Sequence, residues 1–179
     1  MLIFLSMIET EEEKDKFVQI YESYSHFMWY VANEVLWDKY LAEDAVQEAF
    51  LALTRHLDKI EDVKSPKTKK FLMTITKSKA IDIIRKEKGD LIEEFDESFI
   101  QEKQDDLLHE YIEKESHEAL LGSIAKLDDI YRIVFEYKYL HELSDKEIAD
   151  LLGVTQKVVN VRIFRARKKL QDILAKEGH

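Results

Sequence analysis

The chain of 179 residues contains no cysteine, a single proline and only four glycines. Without thiols there can be no disulfide and no thiolate metal site, which fits a reducing compartment. So few turn formers argue against a sheet protein, while abundant Lys, Glu, Leu, Ile and Asp favour helix. Long apolar runs are missing too. The opening MLIFLSMI is far shorter than the roughly 20 residues a membrane helix needs. It has no basic n-region or small-residue cleavage site, and Glu9, Glu11, Glu12 and Glu13 follow at once. No signal peptide is therefore expected, and the chain reads as soluble and cytoplasmic, with no membrane contact of its own. Met7 stands beside Met1 as a second candidate start. Catalytic motifs are also lacking: there is no Gly-rich phosphate loop, no H-E-x-x-H and no G-x-S-x-G. No catalytic residue and no cofactor are expected. The only hint of a metal is Asp106 followed by His109, and a helical carboxylate site needs several such ligands on facing helices. That pair reads as solvated surface, and no metal is expected. His26, His56, His117 and His141 have no partner pattern and read as structural.

What is present is a core and an uneven charge. Apolar residues make up 45% of the chain, enough to exclude wholesale disorder. Net charge is −10, yet residues 87–118 alone hold thirteen acidic and three basic side chains, so the rest is neutral. Within that rest, residues 64–88 hold nine basic and two acidic groups, and residues 155–170 hold six basic groups and no acidic one. Two basic segments thus flank an acidic middle. A single charge run is usually a solvated helix face; two, each inside a helical unit, point to nucleic acid. The middle has weak periodicity and reads as a linker with one helical turn around Leu107–Ile112.

In the N-terminal unit, residues 14–88, apolar side chains from Phe17 through Tyr21, Met28 and Val31 to Val35 recur at three- and four-residue steps, the signature of an amphipathic helix. A second helix turns Ala45, Val46, Ala49, Phe50, Leu53 and Leu57 inward, leaving Glu43, Asp44, Gln47 and Glu48 outside. The third has Ser65 as N-cap, Pro66 at its first position, a stripe of Phe71, Leu72, Ile75, Ile83 and Ile84, and Gly89 as a stop. Phe71 reads as core. The many lysines of this helix repel one another unless phosphates neutralise them.

The C-terminal unit, residues 119–179, begins with Leu120, Leu121, Ile124 and Leu127, and continues with Ile130, Ile133, Val134, Tyr137 and Leu140. Then Ser144 and Glu147 form a capping box, Ala149 permits close helix approach, Gly153 supplies a positive φ, and Val154 points inward. Thr155 can cap the last helix, whose inner stripe is Val159, Ile163, Ala166 and Leu170. Capping, small residue, turn and stripe agree in register, which is a helix-turn-helix pattern. The exposed side of its last helix carries Gln156, Lys157, Asn160, Phe164, Arg165 and Lys168. The N-terminal end of that helix would enter the major groove and its basic end would meet phosphates.

The stretches AEDAVQEAFLALTRHLDKI and SPKTKKFLMTITKSKAIDIIRKEK resemble region 2 of the extracytoplasmic-function (ECF) sigma factors of RNA polymerase, and LSDKEIADLLGVTQKVVNVRIFRARKKL resembles their region 4. Together they cover about 130 of the 179 residues, in the family's order. The resemblance implies a transcription initiation factor, not an enzyme, whose partners are core RNA polymerase, promoter DNA and an anti-sigma factor. It implies that Asp44, Gln47 and Glu48 dock on the polymerase. Melting and binding of the −10 element would fall to Lys64, Ser65, Lys67, Lys69, Lys70, Lys77, Ser78 and Lys79. Base capture from a melted strand needs such a cationic groove beside apolar surface. Phe71 stands where the family usually has Trp, and Thr76-Lys77-Ser78 where it often has Ala-Arg-Asn. Asn160 replaces a basic residue and Val161 a Ser on the face expected to read the −35 element, so the target sequence should differ from the familiar one. Asn pairs with adenine, whereas Arg or Lys prefers guanine. The expected fold is all-α: an extension of residues 1–13, then two small helical domains joined by an acidic linker, residues 89–118. Two other readings compete. A helix-turn-helix regulator acting without polymerase usually dimerises, and no dimerisation helix is evident. An acidic helical enzyme with a carboxylate metal site lacks its ligand motifs.

Overall fold

The computed structural model describes residues 1–87 and 117–176, all helices and connecting turns, with no strand among them. The acidic stretch, its expected helical turn, the Gly89 stop and the Asp106 and His109 pair lie outside the described residues. The chain divides into two compact units.

The first unit starts with a single turn, α1 (Leu2–Leu5), followed by α2 (Glu11–Leu36), α3 (Lys39–Leu53), a 3₁₀ turn (Leu57–Lys59) and α4 (Pro66–Glu87). Thr10 caps α2, its hydroxyl accepting the Glu13 amide at 3.2 Å. Glu11, Glu12 and Glu13 complement the positive end of the helix dipole. The α2–α3 turn is two residues long. Trp37 closes α2 in left-handed backbone at φ 55°, with its N–H donating to the Asn33 carbonyl at 2.9 Å. That conformation costs a residue with a Cβ roughly 1–2 kcal/mol. Asp38 then caps α3 by accepting from the amides of Tyr40 and Leu41 at 2.8 and 3.1 Å. Ser65 caps α4 as its sequence position predicts, accepting the Thr68 amide at 3.1 Å.

Helices α2, α3 and α4 pack on one another. One end of their core is aromatic: Phe17 and Phe50 meet edge to face at 5.7 Å, and Tyr21 lies 4.9 Å from Phe50. Phe4 joins them, 5.6 Å from Phe17, so the segment read as an extension contributes a buried side chain. The other end is narrow, where Ala32, Ala42, Ala45 and Ala80 let the helices approach and Trp29, Val35, Leu36, Val46 and Ile83 close around them.

The second unit comprises α5 (His117–Ala125), α6 (Asp129–Phe135), a π turn (Glu136–Leu140), α7 (Asp145–Leu152) and α8 (Gln156–Lys176). Helix α5 begins two residues inside the stretch read as linker. The apolar run from Ile130 to Leu140 is not one regular helix: it widens after Phe135, with the His141 amide reaching back to the Glu136 carbonyl at 3.0 Å. Helix α8 forms the spine, packed by α5, α6 and α7. Its buried side is Val158, Val159, Ile163, Ala166, Leu170 and Leu174.

Candidate functional site

The helix-turn-helix of the second unit is built by local chemistry. The Ser144 hydroxyl accepts the Glu147 amide at 3.3 Å, and the Glu147 carboxylate accepts the Ser144 amide at 2.8 Å, which closes the capping box. Gly153 takes φ 65°. The Val154 amide then donates to the Ala149 carbonyl at 3.1 Å and the Gly153 amide to the Asp150 carbonyl at 3.4 Å, the pair of bonds of a Schellman stop. Ala149 is buried as its small size predicts, whereas Val154 is only half-buried. Thr155 caps α8, accepting the Val158 amide at 3.3 Å. The start of α8 is thereby presented to solvent with Gln156, Lys157 and Asn160 exposed, as is Lys168 two turns on; Val161, Phe164 and Arg165 are half-buried. All seven expected DNA-reading residues reach the surface at least in part.

The basic helix α4 fits its expected role less completely. Lys64, Lys67, Lys69 and Lys70 are exposed, and Lys69 lies over the Phe27 ring at 4.9 Å. Lys77 is half-buried. Ser65 spends its hydroxyl on the helix cap. Ser78 is a correction: it is only 1% exposed, and its hydroxyl donates to the Ile75 carbonyl at 2.8 Å. The register that puts Phe71 and Ile75 inside puts Ser78, seven residues after Phe71, inside as well. Lys79 is half-buried. Burial pushes its ammonium below the ordinary lysine value, against the pull of Asp82 and Glu48 and together with the repulsion of Lys86. A lysine facing two carboxylates has less charge to offer a phosphate. Phe71 is core, at 4% exposure.

The loop before α4 is firmly held. Lys16 donates to the Ile60 carbonyl at 2.9 Å, Tyr24 to the Val63 carbonyl at 2.9 Å and Thr68 to the Asp62 carbonyl at 2.7 Å. These bonds fix an open groove lined by Glu12, Asp15, Lys16, Gln19, Glu61, Asp62, Val63 and Lys64. Its four carboxylates weaken the pull of Lys64 on any phosphate. On α3, Asp44, Gln47 and Glu48 are exposed together, opposite the buried Ala42, Ala45, Ala49 and Leu53.

Residues 20–89 match the family model for sigma-70 region 2, and residues 117–170 match that for sigma-70 region 4. The chain is similar to three sigma factors of Bacillus subtilis (strain 168). It is 28% identical to the ECF RNA polymerase sigma factor SigM, over 86% of this chain and 91% of that one. The values for the ECF RNA polymerase sigma factor SigW are 29%, with 89% of each chain covered. For the RNA polymerase sigma factor SigV they are 30%, with 76% and 77% covered. The chain belongs to the ECF RNA polymerase sigma factors. Its region 2 is the α2–α4 bundle, and its region 4 is the unit that ends in the helix-turn-helix.

Set in this sigma factor, several residues have roles that charge and motif reading missed. Arg162 is 8% exposed, drawn into the inner stripe of α8 one turn from Val158 and Ala166. Four-residue spacing was the signal that could have found it. Arg167 donates to the Tyr139 hydroxyl at 2.6 Å, tying α8 to the π turn. Lys169 is held by Asp128 at 2.8 Å, a bond that raises its pKa above the ordinary value. Among the described residues no group of three or more His, Asp or Glu could hold a metal ion, and no helix is long and apolar enough to cross a membrane.

Proposed function

We propose a division of labour within this sigma factor, which directs RNA polymerase to promoters. Region 2 docks on core polymerase through Asp44, Gln47 and Glu48 and engages the melted −10 element with Lys64, Lys67, Lys69, Lys70 and Lys77. Region 4 reads the −35 element with the start of α8, where Gln156, Lys157 and Asn160 lead and Arg165 and Lys168 follow toward the phosphates. Ser78 is left out because its hydroxyl is committed inside α4. An anti-sigma protein is the expected regulating partner, on the family resemblance.

The observation that carries this reading is the exposed start of α8, capped by Thr155, in a unit that matches region 4, downstream of a unit that matches region 2. Neither unit alone explains the other: a DNA reader needs no acidic docking face, and a polymerase adaptor needs no recognition helix. The test is a binding titration of the full-length chain with core RNA polymerase. A one-to-one complex that gains affinity for promoter DNA over either component alone is expected. Tight binding to promoter duplex with no complex with core would transfer the chain's role to polymerase-independent regulation.

A further inference from the structure

We propose that Trp37 and Tyr40 form an aromatic anchor that extends the docking face of α3, and that its occupant is the protein surface of core polymerase that receives Asp44, Gln47 and Glu48. The inference rests on the docking reading above and names what that reading leaves out. Trp37 is 88% exposed and Tyr40 66% exposed. From Tyr40 the face continues at four- and three-residue steps through Asp44 and Gln47, on the opposite side of α3 from Ala42, Ala45 and Ala49. Tyr40 and the acids are therefore one continuous strip along α3, and Trp37 stands in the two-residue turn that leads into it.

Trp37 gains nothing for the isolated chain. Its side chain is outside the core, and its φ of 55° is backbone that Gly or Asn adopts more easily. A large aromatic kept both exposed and in unfavourable backbone has its stabilising contact elsewhere. The turn also holds it ready. The bond from its own N–H to Asn33 and the Asp38 cap on α3 fix the two residues between helix ends, so little further ordering is needed on binding. Lys39 lies 4.8 Å over the Tyr40 ring and steadies it.

The surrounding charge selects the kind of partner. Glu34, Asp38, Glu43 and Asp44 are all exposed near these rings in sequence, against the single cation Lys39. Aromatic rings among carboxylates repel phosphates, which disfavours base stacking as their role. The same arrangement suits a protein surface that offers an apolar pocket rimmed by Lys or Arg, where Trp and Tyr are the residues that carry binding energy.

The test is the variant Trp37→Asn with Tyr40→Ser in the full-length chain, compared with Asp44→Ala, Gln47→Ala and Glu48→Ala together. Affinity for core polymerase, thermal melting and self-association are measured for both. The aromatic variant should bind core about tenfold more weakly or worse, with an unchanged or higher melting temperature because Asn suits the left-handed turn. If the pair lowers the melting temperature, Trp37→Gly alone carries the same expectation. Core affinity equal to wild type for the aromatic variant, with weakened binding for the acidic one, overturns this inference and leaves the docking reading intact. Wild-type affinity for both overturns the docking reading and this inference with it. Weakening by the aromatic variant alone overturns the single continuous face. A loss confined to single-stranded promoter DNA in the assembled complex would assign the rings to nucleic acid, and a loss confined to self-association would assign them to a second copy; either overturns the proposal.

Discussion

Helices α4 and α8 are both basic, and both lie on a buried face, yet they build that face differently. Helix α8 buries aliphatic side chains, Val159, Ile163, Ala166, Leu170 and Leu174. Helix α4 buries Phe71, Leu72 and Ile75 but also Thr68, Thr74, Thr76 and Ser78. Those hydroxyls are satisfied within the unit: Thr74 donates to the Lys70 carbonyl at 3.0 Å, Thr76 to Leu72 at 2.7 Å and Ser78 to Ile75 at 2.8 Å. Each helix also draws cations inward. In α8 Arg162 is buried, at 8% exposure; in α4 Lys79 is half-buried, and burial pushes its ammonium below the ordinary lysine value. The lesson is that a basic run does not say which cations face outward. Register does, and it separates Lys67 and Lys70 from Lys79, and Lys168 from Arg162.

The sharpest contrast is in stability. Leu170→Ala should cost about 2–5 kcal/mol, because α8 loses an aliphatic side chain at the centre of its unit. Thr76→Val, equally buried, should cost less than about 1.5 kcal/mol, since the Leu72 carbonyl keeps its helical amide partner. Denaturant unfolding of the two variants checks the pair. Comparable losses would mean that the hydroxyls of α4 are as essential to packing as the aliphatics of α8.

On the DNA side, Asn160→Arg should change the preferred −35 sequence by roughly 1–3 kcal/mol per base pair read, measured across a binding library. Lys168→Ala should weaken all sequences alike and lower the salt slope by about one unit. Unchanged base preference for Asn160→Arg would remove the start of α8 from base reading.

Within α4, Lys70→Ala should reduce binding of single-stranded −10 DNA by the assembled complex and lower its salt slope by roughly 0.7, whereas Ser78→Ala should leave both as they are. Equal losses would restore Ser78 to the DNA face. The smallest effect expected is at Lys79. Its folded-state pKa lies below the ordinary value, so just below pH 10.5 the unfolded chain holds more protons than the folded one, and this lysine's contribution to stability improves as pH rises. Lys79→Met should match or exceed wild-type stability at neutral pH, with the difference closing toward pH 10.5. A difference that widens with pH would reverse the sign assigned to burial.

Legibility in the sequence followed how local the chemistry is. The capping box at Ser144, the stop at Gly153, the caps at Ser65 and Thr155 and the inner stripes of α2, α3 and α8 depend on neighbours within one turn, and all were readable. The π turn after Phe135 was not, because it depends on how α6 packs on α8. Phe4 looked like part of a tail because its partners, Phe17 and Phe50, are distant in sequence. Ser78 stands at a family position for DNA contact, but the stripe of its own helix, set by Phe71 and Ile75, turns it inward. Trp37 carries no signal in the sequence: an apolar residue at the end of an amphipathic helix reads as core until its backbone is seen to be left-handed.

The central claim, that the two units act together to bring polymerase to promoters, is tested most directly by transcription from a randomised promoter library with core polymerase and the purified chain. The account predicts starts that depend on the protein and share two sequence elements at fixed spacing, with Asn160→Arg changing only the upstream one and the triple change at Asp44, Gln47 and Glu48 abolishing both. Transcription no more selective than core polymerase alone, from a protein that is folded and bound to core, would contradict it.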